Sequence, residues 1–177
     1  FALETSEICG ILWHQGESDS NNSLHKTYYE KLSLIIETLR KELNLQNVPL
    51  IIGELGDFLG KTGFGKYSTE FQEINEQLRR FAHEQQNCYF VSAKGLTANP
   101  DGIHLNAVSQ RKFGYRYFEA FSKKCHILEP LSDENQSLKI KNNYSKTEQI
   151  YIHSMNLALG KITYAEFEAQ MAKVMHP

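Results

Sequence analysis

Three short, continuously apolar runs alternate with three longer segments of helical periodicity. Ile8 to Trp13 reads as a buried strand. Tyr28, Leu32, Ile35, Ile36, Leu39 and Leu43 then recur at helical spacing, with Lys and Glu between them. Asn22 or Ser23 is placed to cap that helix. Val48-Pro49-Leu50-Ile51-Ile52-Gly53 is a second strand, with Pro49 at its entry, where a missing N–H is tolerated. Gly53 to Gly65 reads as a glycine-rich loop. Thr69-Glu70-Phe71-Gln72 has the form of a capping box, and Phe71, Ile74, Leu78 and Phe81 mark the helix behind it. Cys88 to Ser92 is a third strand. A helix over Asn106–Phe121 carries Phe113, Tyr117 and Phe121 on one face.

Continuous apolar strands alternating with amphipathic helices predict an α/β fold, a parallel sheet covered on both faces. In such sheets, sites lie in the loops at the C-terminal ends of the strands. The pattern changes after Phe121. Residues 122–144 are polar and read as a linker or surface wrap. Residues 145–177 read as two short helices around Gly160, a packing or assembly appendage. The domain reading is therefore 1–121, 122–144 and 145–177.

Composition adds few constraints. Hydrophobic residues make up 41% of the 177-residue chain and charged residues 23%, within the range of globular domains. The net charge of -2 gives no electrostatic case for nucleic acid or an anionic membrane surface as partner. No apolar run approaches the roughly 20 residues of a membrane span. Cys9, Cys88 and Cys125 are an odd number without CxxC spacing, and no histidine pair has zinc-site spacing. No metal site is expected. Cys9 and Cys88 lie in apolar runs, as small hydrophobes do, which favours a reducing, cytoplasmic location. A leader ahead of Phe1 stays open. The chain carries no signal of oligomeric state.

The candidate chemistry follows two strands. Trp13-His14-Gln15-Gly16-Glu17-Ser18-Asp19 ends the first strand in hydrogen-bonding side chains. Gln15 offers an amide donor suited to an oxyanion, and Glu17 a carboxylate for a histidine or a substrate hydroxyl. Trp13 and His14 could line a sugar site, although Trp13 could equally pack in the core. Asn99-Pro100-Asp101-Gly102-Ile103-His104 follows the third strand. An aspartate three residues before a histidine, across a turn, can accept from the ring Nδ1–H and leave Nε2 as a base. Gly60-Lys61-Thr62 lacks the leading glycine of a phosphate-binding loop, so a nucleotide-binding reading is set aside.

Together, these two motifs resemble the SGNH-hydrolase superfamily. More narrowly they resemble the family-6 carbohydrate esterases and the sialic-acid O-acetylesterase domain. Gly53-Glu54-Leu55-Gly56 is similar to that family as well. The resemblance implies a three-layer, flavodoxin-like sandwich, here incomplete at the N-terminus and followed by a C-terminal helical hairpin. It implies cofactor-free removal of acetyl groups from acetylated sugars or oligosaccharides, of acetylxylan or sialate type. It assigns His104 as the base, Gln15 as the oxyanion donor, and either Asp101 or Glu17 as the acid partner. The family's nucleophile belongs to a Gly-Gln-Ser-Asn motif, and this chain has no such motif and no serine in that context. The expectation is the C-terminal part of a longer esterase, inactive alone. The alternative is a non-catalytic carbohydrate-binding or assembly protein on the same fold.

Overall fold

In the computed structural model, residues 4–139 and 144–175 are described. The first of two compact units runs to Asn135. It contains β1 (Ile11–Trp13), α1 (Tyr28–Glu42), β2 (Leu50–Gly53), α2 (Phe71–Glu84), β3 (Cys88–Val91) and α3 (Ala107–Lys123). The strands form a parallel sheet in the order β1-β2-β3, with Ile11 opposite Leu50 and Leu50 opposite Cys88. The three strands end nearly level, so the loops after Trp13, Gly53 and Val91 emerge along one edge.

Strand alternation divides the core in two. Ile11, Trp13, Leu50, Ile52, Cys88 and Phe90 face one side, where α1 and α2 contribute Tyr28, Leu32, Ile36, Ile74, Leu78 and Phe81. Ile51, Tyr89 and Val91 face the other, against Phe113, Tyr117 and Ala120 of α3. This is the expected three-layer α/β arrangement. Leu50, Ile51 and Ile52 are completely buried, which explains why β2 is apolar at every position.

The sheet is widened by the polar stretch after α3. Ile127 pairs in parallel with Val91, its N–H donating to the Phe90 carbonyl and its own carbonyl accepting from Ser92. Glu134 opens α4 (Glu134–Lys139) and returns its carboxylate to α3. It receives Arg116 Nε at 2.8 Å and Arg116 Nη2 at 2.9 Å. Arg116 Nη1 donates to the carbonyls of Ser92 and Lys94. Both side chains are nearly inaccessible, so every charge in this pair is matched by a hydrogen bond. Burial works to raise the Glu134 carboxyl, but the Arg116 bonds and charge outweigh it and hold it below its usual value.

Several local expectations are corrected. β1 begins at Ile11, and Cys9 is exposed rather than a buried hydrophobe. Asn22 and Ser23 do not cap α1: both are left-handed, and a 3₁₀ turn over Leu24–Thr27 comes first. Ile35 is 41% exposed, because Leu32 and Ile36 take the inward positions of α1. The capping box before α2 does not form. Glu70 occupies the N-cap, and its carboxylate accepts instead from Ser23 N and contacts His25 Nδ1. Tertiary partners outcompete the local motif here.

The second unit, residues 136–177, contains the expected hairpin of α5 (Lys146–Ala158) and α6 (Tyr164–Met175). Ser145 and Glu148 form a reciprocal capping box at the start of α5, and Thr163 and Glu166 repeat it at α6.

Glu134→Ala would leave the Arg116 guanidinium buried without its counter-charge. The expected loss is about 3 kcal/mol or more of stability, read as a lower urea midpoint at unchanged slope.

Candidate active site

The turn that carries His104 is written in its residue types. Asn99-Pro100-Asp101-Gly102 is a β-turn, closed by Gly102 N–H to the Asn99 carbonyl at 2.9 Å. Proline at the second position presets φ, and glycine at the fourth accommodates φ +73°. A bridge between Ala98 and Leu105 closes the base of the loop. One Asp101 oxygen, Oδ1, accepts the backbone N–H groups of Ile103 and His104 at 3.1 and 3.0 Å. The other, Oδ2, lies 2.8 Å from His104 Nδ1. The imidazole bond and the two amides hold the Asp101 carboxyl down at about 2. An ionised carboxylate only accepts, so Nδ1 carries a proton, and the tautomer this selects for the neutral ring has its lone pair on Nε2. The His104 side chain is 75% exposed, so Nε2 is open to a reactant.

The other motif is organised by a residue that the sequence pattern presents only as core. Tyr28 of α1 is 2% exposed. Its hydroxyl donates to the Gln15 carbonyl at 2.8 Å and accepts from the Trp13 indole at 3.1 Å. Burial raises the Tyr28 hydroxyl well above its ordinary value, so it stays protonated as a donor. Tyr117 of α3 anchors the same strand end from the opposite face, donating to the Trp13 carbonyl at 2.8 Å. Trp13 is therefore half-buried against the core with its indole N–H committed. His14 points to the α3 side, edge-on to Phe113 at 5.3 Å. There it lines a cleft of about 590 Å³ with Leu12, Leu105, Tyr117, Phe118 and Phe121.

The Gln15 side chain is oriented. Its Nε2 donates to Asp19 Oδ2 at 3.0 Å, and Asp19 lies 3.6 Å from the Lys31 ammonium. One amide proton fixes the group and the second stays available as a donor. Gly16, at φ +146°, lets the backbone press against α2, where a β-carbon would lie 2.6 Å from Ile74. Glu17 is half-buried, and its carboxylate makes no hydrogen bond to His104 among the described residues. Asp101 is the carboxylate that the fold brings to the imidazole.

The two motifs are joined by the glycine-rich loop after β2. At one end, Ser68 Oγ donates to the Glu17 carbonyl at 2.9 Å, and Glu70 N–H to the Ser20 carbonyl at 2.8 Å. At the other end, Phe64 N–H donates to the Asp101 carbonyl at 2.7 Å. Gly63 and Gly65 lie so close to Asp101 and Gly102 that a β-carbon on either would overlap a carbonyl of that turn. Glu54, at the start of this loop, accepts Ser92 Oγ at 2.6 Å and Ala93 N–H at 2.8 Å, and pairs with Arg79. It braces the exit of β3 that leads to Asp101. The sequence singles out Glu54 through its family-like Gly-Glu-Leu-Gly setting, but shows no sign of the Ser68 and Phe64 bonds that tie the loop to the two motifs.

Residues 1–123 match the model of a family described as carbohydrate esterase, sialic acid-specific acetylesterase, and the chain belongs to that family. It is 30% identical over 117 residues to an Arabidopsis thaliana protein named as a probable carbohydrate esterase. That match covers 65% of this chain and 40% of the relative, so the chain spans well under two thirds of the relative's length.

The Asp101 geometry makes a pH prediction. Its carboxyl should titrate near 2 by carbon-detected NMR, since the largest cause of the shift is the His104 bond. In His104→Ala the midpoint should climb toward the usual aspartate range. A folded pKa below the unfolded one means that this contribution to stability holds above the ordinary aspartate range and disappears as pH falls through 2.

Proposed function

We propose that this chain supplies the base and the oxyanion donor of a serine acetylesterase that acts on O-acetylated carbohydrate. The observation that carries this reading is the Asp101–His104 pair. It is oriented by hydrogen bonds within one turn, with the His104 side chain exposed, and it follows β3 at the end of the sheet where β1 leads to Gln15. Family membership points to the same chemistry.

In this reading His104 Nε2 takes the proton of a serine hydroxyl as the oxygen adds to the acetyl carbonyl. The Gln15 amide donates to the developing oxyanion, and Asp101 stabilises the imidazolium. The imidazolium gives its proton to the sugar oxygen as the acyl C–O bond breaks, and the sugar leaves as its hydroxyl. Water, deprotonated by the same nitrogen, then releases acetate from the acyl-enzyme. Three serines near the motifs are already engaged: Ser20 bonds the Gly16 carbonyl, Ser68 the Glu17 carbonyl and Ser92 the Glu54 carboxylate. A nucleophile from another segment fits better. The outer edge of β1 has no partner strand among the described residues, and Leu12 beside it is 64% exposed. A further strand there would bring a hydroxyl to the same end of the sheet.

Three outcomes are expected with a longer polypeptide that carries such a serine segment ahead of Phe1. His104→Ala should lower kcat by on the order of 10³-fold on p-nitrophenyl acetate, and near-normal turnover would refute the assignment. Gln15→Ala should lower kcat by about a hundredfold or more with little change in KM; a change confined to KM would make Gln15 a substrate-binding residue. Residues 1–177 alone should release no acetate above a His104→Ala control. Activity of that short chain would place the nucleophile within it. Sugar binding by the long polypeptide without any acetyl release would favour the non-catalytic reading.

A further inference from the structure

One rung at the outer edge of β3 is made by a side chain. Past α3, Lys124 takes a left-handed backbone (φ 51°) that turns the chain back toward the sheet. Ile127 then pairs with β3, donating to the Phe90 carbonyl and accepting from Ser92 N–H, each at 2.8 Å. In a parallel pair the N–H and C=O of one residue face the same neighbour, so the Phe90 N–H also points to this edge. A longer strand would meet it with the carbonyl two residues before Ile127. Here the His126 ring meets it: Phe90 N–H donates to His126 Nδ1 at 3.0 Å.

A donor needs a lone pair on the atom it reaches. Nδ1 of His126 is therefore unprotonated, and the neutral ring carries its proton on Nε2. A second proton would go to Nδ1 itself and set two N–H groups against each other. The surroundings do not compensate it. The His83 ring of α2 stacks on His126 with centroids 4.7 Å apart and planes tilted by 36°. The Tyr89 ring of β3 lies edge-on at 6.1 Å. Glu84, next to His83, is taken up by Arg80 and Tyr29. On the segment of His126 itself, Lys123 pairs with Glu119 and Glu129 with Lys94. Burial, and behind it the His83 charge, hold the His126 imidazole below its ordinary value, and no carboxylate among the described residues counters them.

We propose that His126 is a pH-sensitive latch that fastens the segment around Ile127 to the outer edge of β3 through Phe90. Neutral, the ring completes the ladder. Protonated, it rejects the Phe90 N–H and leaves the two Ile127 bonds to hold the edge. What the latch secures leads to the candidate site. Ser92, which gives its N–H to Ile127, gives its carbonyl to Arg116 and its hydroxyl to Glu54, at the start of the chain that runs to Asp101. The latch is independent of which reaction the site performs. A base whose folded pKa lies below the unfolded one contributes stability that is complete above about 6.5 and is lost as pH falls from there through the lower, folded value.

The test is read on the full chain by NMR. Long-range proton–nitrogen spectra should show the Nε2–H tautomer of His126 at neutral pH. As that ring titrates, hydrogen-exchange protection of the Phe90, Ser92 and Ile127 amides should fall about tenfold, while the Ile51 and Ile52 amides inside the sheet keep theirs. His126→Asn offers the Phe90 N–H an amide oxygen at about the reach of Nδ1, and that oxygen takes up no proton in this range. Its three edge amides should stay protected in acid. His126→Ala should be as weakly protected at neutral pH as the unaltered protein is in acid. An Nδ1–H tautomer at neutral pH would overturn the proposal. So would edge protection unchanged through the His126 midpoint, a loss shared by Ile51 and Ile52, or an equal loss in His126→Asn.

Discussion

The site depends on a seam where two backbones touch without side chains between them. Gly63 and Gly65 on one side, and Asp101 and Gly102 on the other, approach more closely than any β-carbon allows. The Phe64 N–H to Asp101 carbonyl bond runs across it. Because the same loop is tied at its far end to Glu17 and Ser20, it holds the turn after β3 in place relative to the loop after β1. A side chain in the seam would separate the imidazole from the amide donor without touching either. The glycines are therefore a geometric requirement of the site.

Within that frame, each polar group is oriented by a near neighbour. Asp101 spends one oxygen on the backbone of its own turn and the other on the imidazole, so the ring cannot rotate without breaking a charge-assisted bond. Gln15 is steadied by Asp19 through its amide and by Tyr28 through its carbonyl. Preorganised donors and acceptors of this kind do not have to reorganise as charge develops, which is the main source of electrostatic catalysis.

The scaffold behind the site uses buried charge in the same manner. Arg116 fastens α3 to the exit of β3 and to Glu134, while Glu54 fastens the exit of β2 to that of β3. Both lie just behind the chain that leads to Asp101. Each carboxylate is paired and hydrogen-bonded, so the cost of desolvation is offset and what remains is a specific geometry. Tyr28 and Tyr117 pin the end of β1 from the two faces of the sheet. The positions of the Gln15 and His104 side chains are thus set by residues that lie behind them.

The amino-acid sequence by itself determined the layers, the strand order in time and the local turn chemistry. Hydrophobic period distinguishes strands from helices because it reflects which face is buried, and β2 is apolar throughout because both its faces are covered. Asn-Pro-Asp-Gly encodes its turn and the Asp101–His104 bond, since all partners lie within six residues. Tertiary structure alone decided the rest. Tyr28 reads as core because its ring is core; only packing shows where its hydroxyl goes. The capping signals at Asn22 and Thr69 were overridden when Glu70 found Ser23 and His25 across the fold. The glycine-rich loop reads only as a connection until the turn it touches, some forty residues later in the chain, is placed against it. The choice between Glu17 and Asp101 as the histidine's neighbour was likewise spatial, because hydrogen bonds are made over distances that sequence separation does not measure.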